Sequence, residues 1–174
     1  METTNASNAY EVAQQAADVV VKKFGGSHDV LAVLGSGWAH AASVLEATRE
    51  ISVTVIPGFV KPSAIGHGGT LKSCTVGKSR VLLLTGRTHL YEGHGVNSVV
   101  HAVRTAAFAG CKTVVLTNAA GCLREDWGVG ATAIISDHIN LTGFSPLTGA
   151  DAPAPLHGRF VDLTDAYSQR LRTI

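Results

Sequence analysis

At 174 residues, 45% of them hydrophobic and 16% charged, the chain suits one domain with a sizeable core. A net charge of +1 without a basic stripe argues against nucleic acid or an anionic membrane as partner. No apolar run approaches bilayer-spanning length, and Met1-Glu2-Thr3-Thr4-Asn5 lacks the basic and apolar regions of a signal peptide. Taken in chain order, the first element is a helix from Tyr10 to Phe24, stopped by Gly25-Gly26. Val30 to Leu34 reads as a strand that ends in Gly35-Ser36-Gly37. Strands are also predicted at Ile51 to Val55, Leu71 to Val76 and Val81 to Leu84. Helical periodicity links Val96, Val99, Val100, Val103, Ala106 and Ala107, with Gly110 closing the helix. Val114 to Thr117 reads as a strand ending in Asn118-Ala119-Ala120-Gly121, and Ala131 to Ile135 as one more.

The stretch Ser145 to Gly158 holds three of the five prolines and reads as a loop. A last helix, capped by Thr164 or Asp165, runs to Ile174 with no glycine or proline after it. The sequence therefore reads as a chain that stops inside an element, either a fragment or a naturally short product. This alternation of helices and apolar strands predicts a single α/β domain over residues 1–174, with a largely buried sheet. Cys74, Cys111 and Cys122 are odd in number and lack paired ligand spacing, which fits reduced thiols in a cytoplasm. The formal glycosylation site Asn140-Leu141-Thr142 is then idle.

The densest chemistry follows the strand at Val81 to Leu84. Gly86-Arg87-Thr88-His89-Leu90-Tyr91-Glu92-Gly93-His94-Gly95 gathers an arginine, two histidines, a tyrosine and a glutamate between glycines. Arg87 and His89, two residues apart in an extended segment, project to the same side. A planar two-pronged donor beside a titratable ring makes a compact anion site at the carboxyl end of a buried strand. Glu92 is placed to fix the ring of His89 in its donating, charged form. The competing reading is a solvated loop, with Glu92 in water and His89 packed locally.

Gly35-Ser36-Gly37, Gly66-His67, Gly86-Arg87-Thr88-His89-Leu90-Tyr91-Glu92-Gly93, Thr117-Asn118-Ala119-Ala120-Gly121 and Ser136-Asp137-His138-Ile139-Asn140-Leu141 occur in one order. As an ordered set from about Tyr10 onward they resemble the amino-terminal part of the trimeric purine nucleoside phosphorylases. The resemblance implies a three-layer α/β domain with a mixed, mostly buried sheet flanked by helices, incomplete at its carboxyl end. It implies phosphorolysis of purine (deoxy)ribonucleosides to free base and (deoxy)ribose 1-phosphate. Phosphate is then a co-substrate and no cofactor or metal is required.

By the same resemblance Ser36, His67, Arg87, His89 and the Ala119 amide bind phosphate, with His89 and Glu92 as the catalytic pair. Tyr91 and Asn118 contact the ribose, and Phe160 is laid over it by a neighbouring subunit of a homotrimer. Each role has a plainer alternative: a turn serine at Ser36, a surface ion pair at Arg87, a turn histidine at His67. Tyr91 and Phe160 could equally be packed aromatics, and Asn118 a loop-stabilising amide. Asp137 and His138 read as structural.

Two departures stand out. Cys122 occupies a position where the family usually has a second glycine, and Ser145 to Gly158 is longer than in bacterial relatives. The family's base-recognising glutamate and asparagine, a further phosphate-binding serine and a ribose-contacting histidine lie downstream of the matched region. Little phosphorolytic activity is therefore expected of the 174 residues alone. Alternatives are a methylthioadenosine phosphorylase, a catalytically silent phosphate-binding fragment, or a metal protein built on His67, His89, His94 and Glu92. Against the last, no ligand pair has the close spacing of known zinc or iron motifs.

Overall fold

The computed structural model describes residues 6–38, 40–60, 69–149, 151–154 and 160–174. They fall into two units, one ending at Ala119 and one running from Ala120 to Ile174. Among the described residues, the first unit contains all the strands. Helix α1 spans Ala6–Phe24, and its Ala13, Ala16, Ala17, Val20 and Phe24 recur at helical spacing and are buried. The cationic Arg80 closes its carboxyl end, donating through Nη2 to Phe24 O at 2.9 Å and through Nη1 to Ser27 O at 2.8 Å.

Strand β1 (Val30–Leu34) follows, then a short helix α2 (Ala41–Val44) that the sequence pattern did not announce. Strands β2 (Ala47–Ser52), β3 (Thr70–Val76) and β4 (Ser79–Thr85) come next, then helix α3 (Gly95–Phe108) and strand β5 (Thr113–Leu116). The sheet order is β2-β3-β4-β1-β5. The β2–β3 and β3–β4 pairs are antiparallel, whereas β1 is parallel to both β4 and β5, so the sheet is mixed.

Period-two alternation sorts the apolar residues between two faces. Leu31 and Val33 of β1 with Leu82 and Leu84 of β4 join Ala16, Ala17, Val20 and Phe24 of α1 and Ala106 of α3 in one core. Leu34, Val81, Leu83 and Cys74 form a second core with Ala41, Ala42 and Leu45 around α2. Three layers result, with the central strands buried. The edges are more open: β2 is mostly exposed, and Val114, Val115 and Leu116 of β5 are exposed.

Several sequence-based boundaries shift: α1 begins at Ala6 rather than Tyr10, and β5 runs from Thr113 to Leu116 rather than Val114 to Thr117. The apolar residues expected as a strand at Ile51 to Val55 split, since β2 ends at Ser52 and Val53–Val55 form a 3-10 turn. The Ser52 hydroxyl causes the break by accepting the Thr54 N–H at 3.3 Å.

Next to this turn, His101 Nε2 donates to Pro57 O at 2.8 Å and its ring meets Phe59 edge to face. Burial holds the His101 pKa below its ordinary value, aided by Arg104 and opposed by the Pro57 contact. Gly58, at φ +74°, leaves little room for a side chain. A Cβ there would lie 2.5 Å from Val12 Cγ1 and 2.6 Å from His101 Cε1. Gly58→Ala is expected to lower stability by about 2 kcal/mol through left-handed strain and overpacking. An unchanged urea midpoint would show that the contact relaxes freely.

The second unit has one short helix among its described residues, α4 (Gln169–Arg172). The helix expected from Thr164 or Asp165 therefore starts later, with Ser168 as its cap accepting the Leu171 N–H at 3.4 Å. Thr164 is used upstream instead: its N–H and hydroxyl both donate to Asp162 Oδ1. Those bonds hold the Asp162 carboxyl below its ordinary pKa. The strand expected at Ala131 to Ile135 is absent. Ala131 N–H closes a turn on Gly128 O, and Ile134 and Ile135 are exposed. An apolar run becomes a strand only by pairing, and no described residue pairs with it.

Candidate functional site

Because β4, β1 and β5 are adjacent and parallel, the loops after them leave the same edge of the sheet. Backbone pairing runs one step past the strands: Gly86 N–H donates to Leu34 O at 3.3 Å, and Thr117 N–H to Val33 O at 3.0 Å. The first loop carries exposed Ser36 on a turn closed by Trp38 N–H to Gly35 O at 3.1 Å. Gly37 supplies the left-handed φ of +84° that this turn needs. It sits against the third loop, since a Cβ on Gly37 would come 3.9 Å from the Ala119 methyl. The second loop supplies Arg87, whose Nη1 donates to Thr117 O at 2.8 Å. Ser36, Arg87, Asn118 and Ala119 thus lie on three interlocked loops.

His89 and Tyr91 stack with ring centroids 4.9 Å apart and planes 17° from parallel. Leu90–Glu92 form a 3-10 turn, in which the Glu92 N–H donates to His89 O at 3.1 Å. Tyr91 is 80% exposed, so its hydroxyl is open to a ligand but not held by the fold. A cavity of about 350 Å³ lies beside this loop, lined by Val33, Leu84, Val99 and Val103 together with Arg87 and His89. Apolar walls beside a cation and an imidazole strengthen electrostatic attraction for an anion that enters.

His67 lies outside the described residues. Phe160 belongs to the second unit and is 93% exposed. His138 makes local contacts: its Nδ1 lies 3.0 Å from Tyr167 Oη, and its N–H donates to Asp137 Oδ1 at 2.8 Å. Cys122 is exposed and accepts the Arg124 N–H at 3.4 Å. Burial pushes the Cys74 thiol up, and burial with Asp29 pushes Cys111 up to about 11, so both stay protonated and unreactive. Among the described residues, no three His, Cys, Asp or Glu side chains gather as a metal site, and no helix is long and apolar enough to cross a membrane.

Sequence reasoning passed over Thr117, which ties these loops together. Its only signal was a hydroxyl where the strand gives way to Asn118-Ala119.

Residues 29–174 match the profile of the Phosphorylase superfamily. The chain belongs to that superfamily. It is 52% identical over 166 residues to the purine nucleoside phosphorylase of Mycobacterium tuberculosis, a match that covers 94% of this chain and 59% of the relative. Against the purine nucleoside phosphorylase of a Cellulomonas species the identity is 46% over 176 residues, covering 97% and 60%. Isoform 2 of the Schistosoma mansoni enzyme, solved with cytosine and ribose-1-phosphate, superposes with a TM-score of 0.83 at 29% identity. That match covers 94% of this chain and 58% of the other. The fold is therefore the nucleoside phosphorylase-like α/β architecture, and the chain spans about three-fifths of the length of these relatives.

Proposed function

We propose that the chain carries the phosphate site and part of the ribose site of a purine nucleoside phosphorylase. The reaction is attack of phosphate on the anomeric carbon of a purine (deoxy)ribonucleoside, releasing free base and (deoxy)ribose 1-phosphate. The observation that carries this reading is the joining of the Gly35-Ser36-Gly37 turn, Arg87 and the Asn118-Ala119 loop at one sheet edge. The relatives' names and the ribose-1-phosphate of the Schistosoma structure support it.

In this mechanism Ser36, Arg87, His89 and the Ala119 amide hold phosphate, and His67 borders it. Glu92 is assigned to orient the His89 ring. Tyr91 and Asn118 orient the ribose, so that phosphate meets the developing oxocarbenium carbon in line. No organic cofactor enters. The single-domain, cytoplasmic, homotrimeric arrangement belongs to the same proposal, with Phe160 of a neighbouring subunit over the sugar. The outward exposure of Phe160 is compatible with that role.

Hydrogen bonds to a charged group are worth about 1.5–3 kcal/mol each. Arg87→Ala is therefore expected to weaken inorganic phosphate binding by about tenfold or more. Calorimetry giving equal affinities for wild type and variant would remove Arg87 from the site.

A further inference from the structure

We propose that Thr117 is the positioning residue of this anion site, its hydroxyl setting the glycine turn and its carbonyl setting Arg87. The inference rests on the phosphate reading above and goes beyond it by naming what holds the three loops in register. Beyond Leu34, Thr85 and Leu116 only one further backbone bond forms on each side of β1 among the described residues, yet an anion site needs its donors fixed to within about half an ångström. Something past the strand ends must supply that precision.

Thr117 is the first residue beyond β5, and it uses its amide, hydroxyl and carbonyl inward. Its N–H donates to Val33 O at 3.0 Å, and its Oγ1 donates to the same carbonyl at 3.1 Å. The single hydroxyl proton is then committed, leaving a lone pair that accepts the Gly35 N–H at 2.9 Å. Its carbonyl receives Arg87 Nη1 at 2.8 Å. The two contacts meet at one half-buried residue, so the glycine turn and the guanidinium share a single anchor.

The consequences for an incoming oxyanion are specific. The Gly35 amide is committed inward, and the exposed Ser36 is left on the solvent side of the turn. The Nη1 bond tethers the Arg87 guanidinium without using its Nε–Nη2 edge, the pair of donors that matches two oxygens. Gly35 itself has no side chain because a Cβ would overlap the Thr117 carbonyl oxygen. Residue 35 is small so that residue 117 can come this close.

The test titrates inorganic phosphate into this chain by calorimetry for wild type, Thr117→Val, Thr117→Ser and Arg87→Ala. Thr117→Val keeps the branched shape and the carbonyl but removes the acceptor for Gly35. It is expected to weaken phosphate binding about tenfold, while Thr117→Ser stays within about threefold of wild type. Wild-type affinity in Thr117→Val overturns the proposal, and so does equal loss in Val and Ser, which would assign the effect to packing. If wild type binds no phosphate, or Arg87→Ala binds it unchanged, the phosphate reading itself falls. Those outcomes are separate from a result in which Arg87→Ala loses binding and Thr117→Val keeps it. Should Thr117→Val fail to fold, hydrogen exchange in the wild-type chain decides. A Gly35 amide slowed at least about a hundredfold supports the hydroxyl contact, and exchange at the unprotected rate overturns it.

Discussion

Gly35→Ala is expected to lower the melting temperature by roughly 6–12 °C and to remove phosphate binding in the same step. The new methyl would overlap the Thr117 carbonyl oxygen and sit 3.1 Å from Asn118 Cα. Neither obstacle is the mobile tip of a side chain. Relief requires the backbone after β1 to part from the backbone after β5, breaking the Gly35 N–H bond to Thr117 Oγ1. Overpacking of a rigid site costs about 1–3 kcal/mol, and loss of a half-buried hydrogen bond adds about 1 kcal/mol. A total near 3 kcal/mol, at about 2–4 °C per kcal/mol for a chain of this size, gives the stated range. A melt and a phosphate titration of one preparation check it. If the variant melts within 1 °C of wild type, to take about one degree as the resolution of such a scan, the close approach is not rigid.

Acid should destabilise the chain through His28. This ring is 1% exposed, its Nε2 lies 2.8 Å from Ser73 Oγ, and it meets Phe24 edge to face. Burial foremost, then the charge of Arg80, lowers its pKa from 6.5 to about 4, against weaker opposing pulls from Asp29 and the Gly26 backbone. The folded protein holds His28 neutral, whereas the unfolded chain takes up a proton near pH 6.5. The contribution of the neutral ring is therefore complete above about pH 6.5 and is lost as pH falls toward 4. The loss is roughly 3 kcal/mol across that window. Denaturation of wild type and His28→Gln at several pH values isolates it. The stability difference between them should shrink by about that amount from pH 7 to pH 4. A difference that does not change with pH would mean that the ring is already protonated or not buried.

The parts of this architecture legible in the sequence are those that local pattern controls. The apolar stripe of α1, the continuous runs of β1 and β4, and the periodic face of α3 each carry their own period. The glycine-rich ends of β1, β4 and β5 pointed to one crevice because parallel buried strands share a carboxyl edge. What escaped depends on distant partners. Ala131 to Ile135 has strand composition but no strand to pair with among the described residues. The helix starts at the Ser168 cap, whereas the Thr164 N–H and hydroxyl turn back to Asp162. His28 and Ser73 meet across 45 residues, and no motif announces such a pair. In the candidate site, chemically rich residues such as Arg87 and His89 could be read directly. Thr117 could not, since its importance lies in which backbone atoms it reaches.

The placement of β1 between β4 and β5 also sets a clock for synthesis. Gly35 and Thr117 are 82 residues apart, and β1 is hydrogen-bonded on both sides to strands made after it. At about 5–20 residues per second, a ribosome needs roughly 4–16 s after finishing β1 before Thr117 exists. Throughout that interval the buried centre of the sheet has an open flank, and long-range parallel pairing is slow even once the partner arrives. The glycine turn after β1 gains its anchor at the end of this wait. The junction of the three loops at Thr117 is therefore among the last features of the first unit to mature, and the nascent chain is most exposed to misassociation before it does.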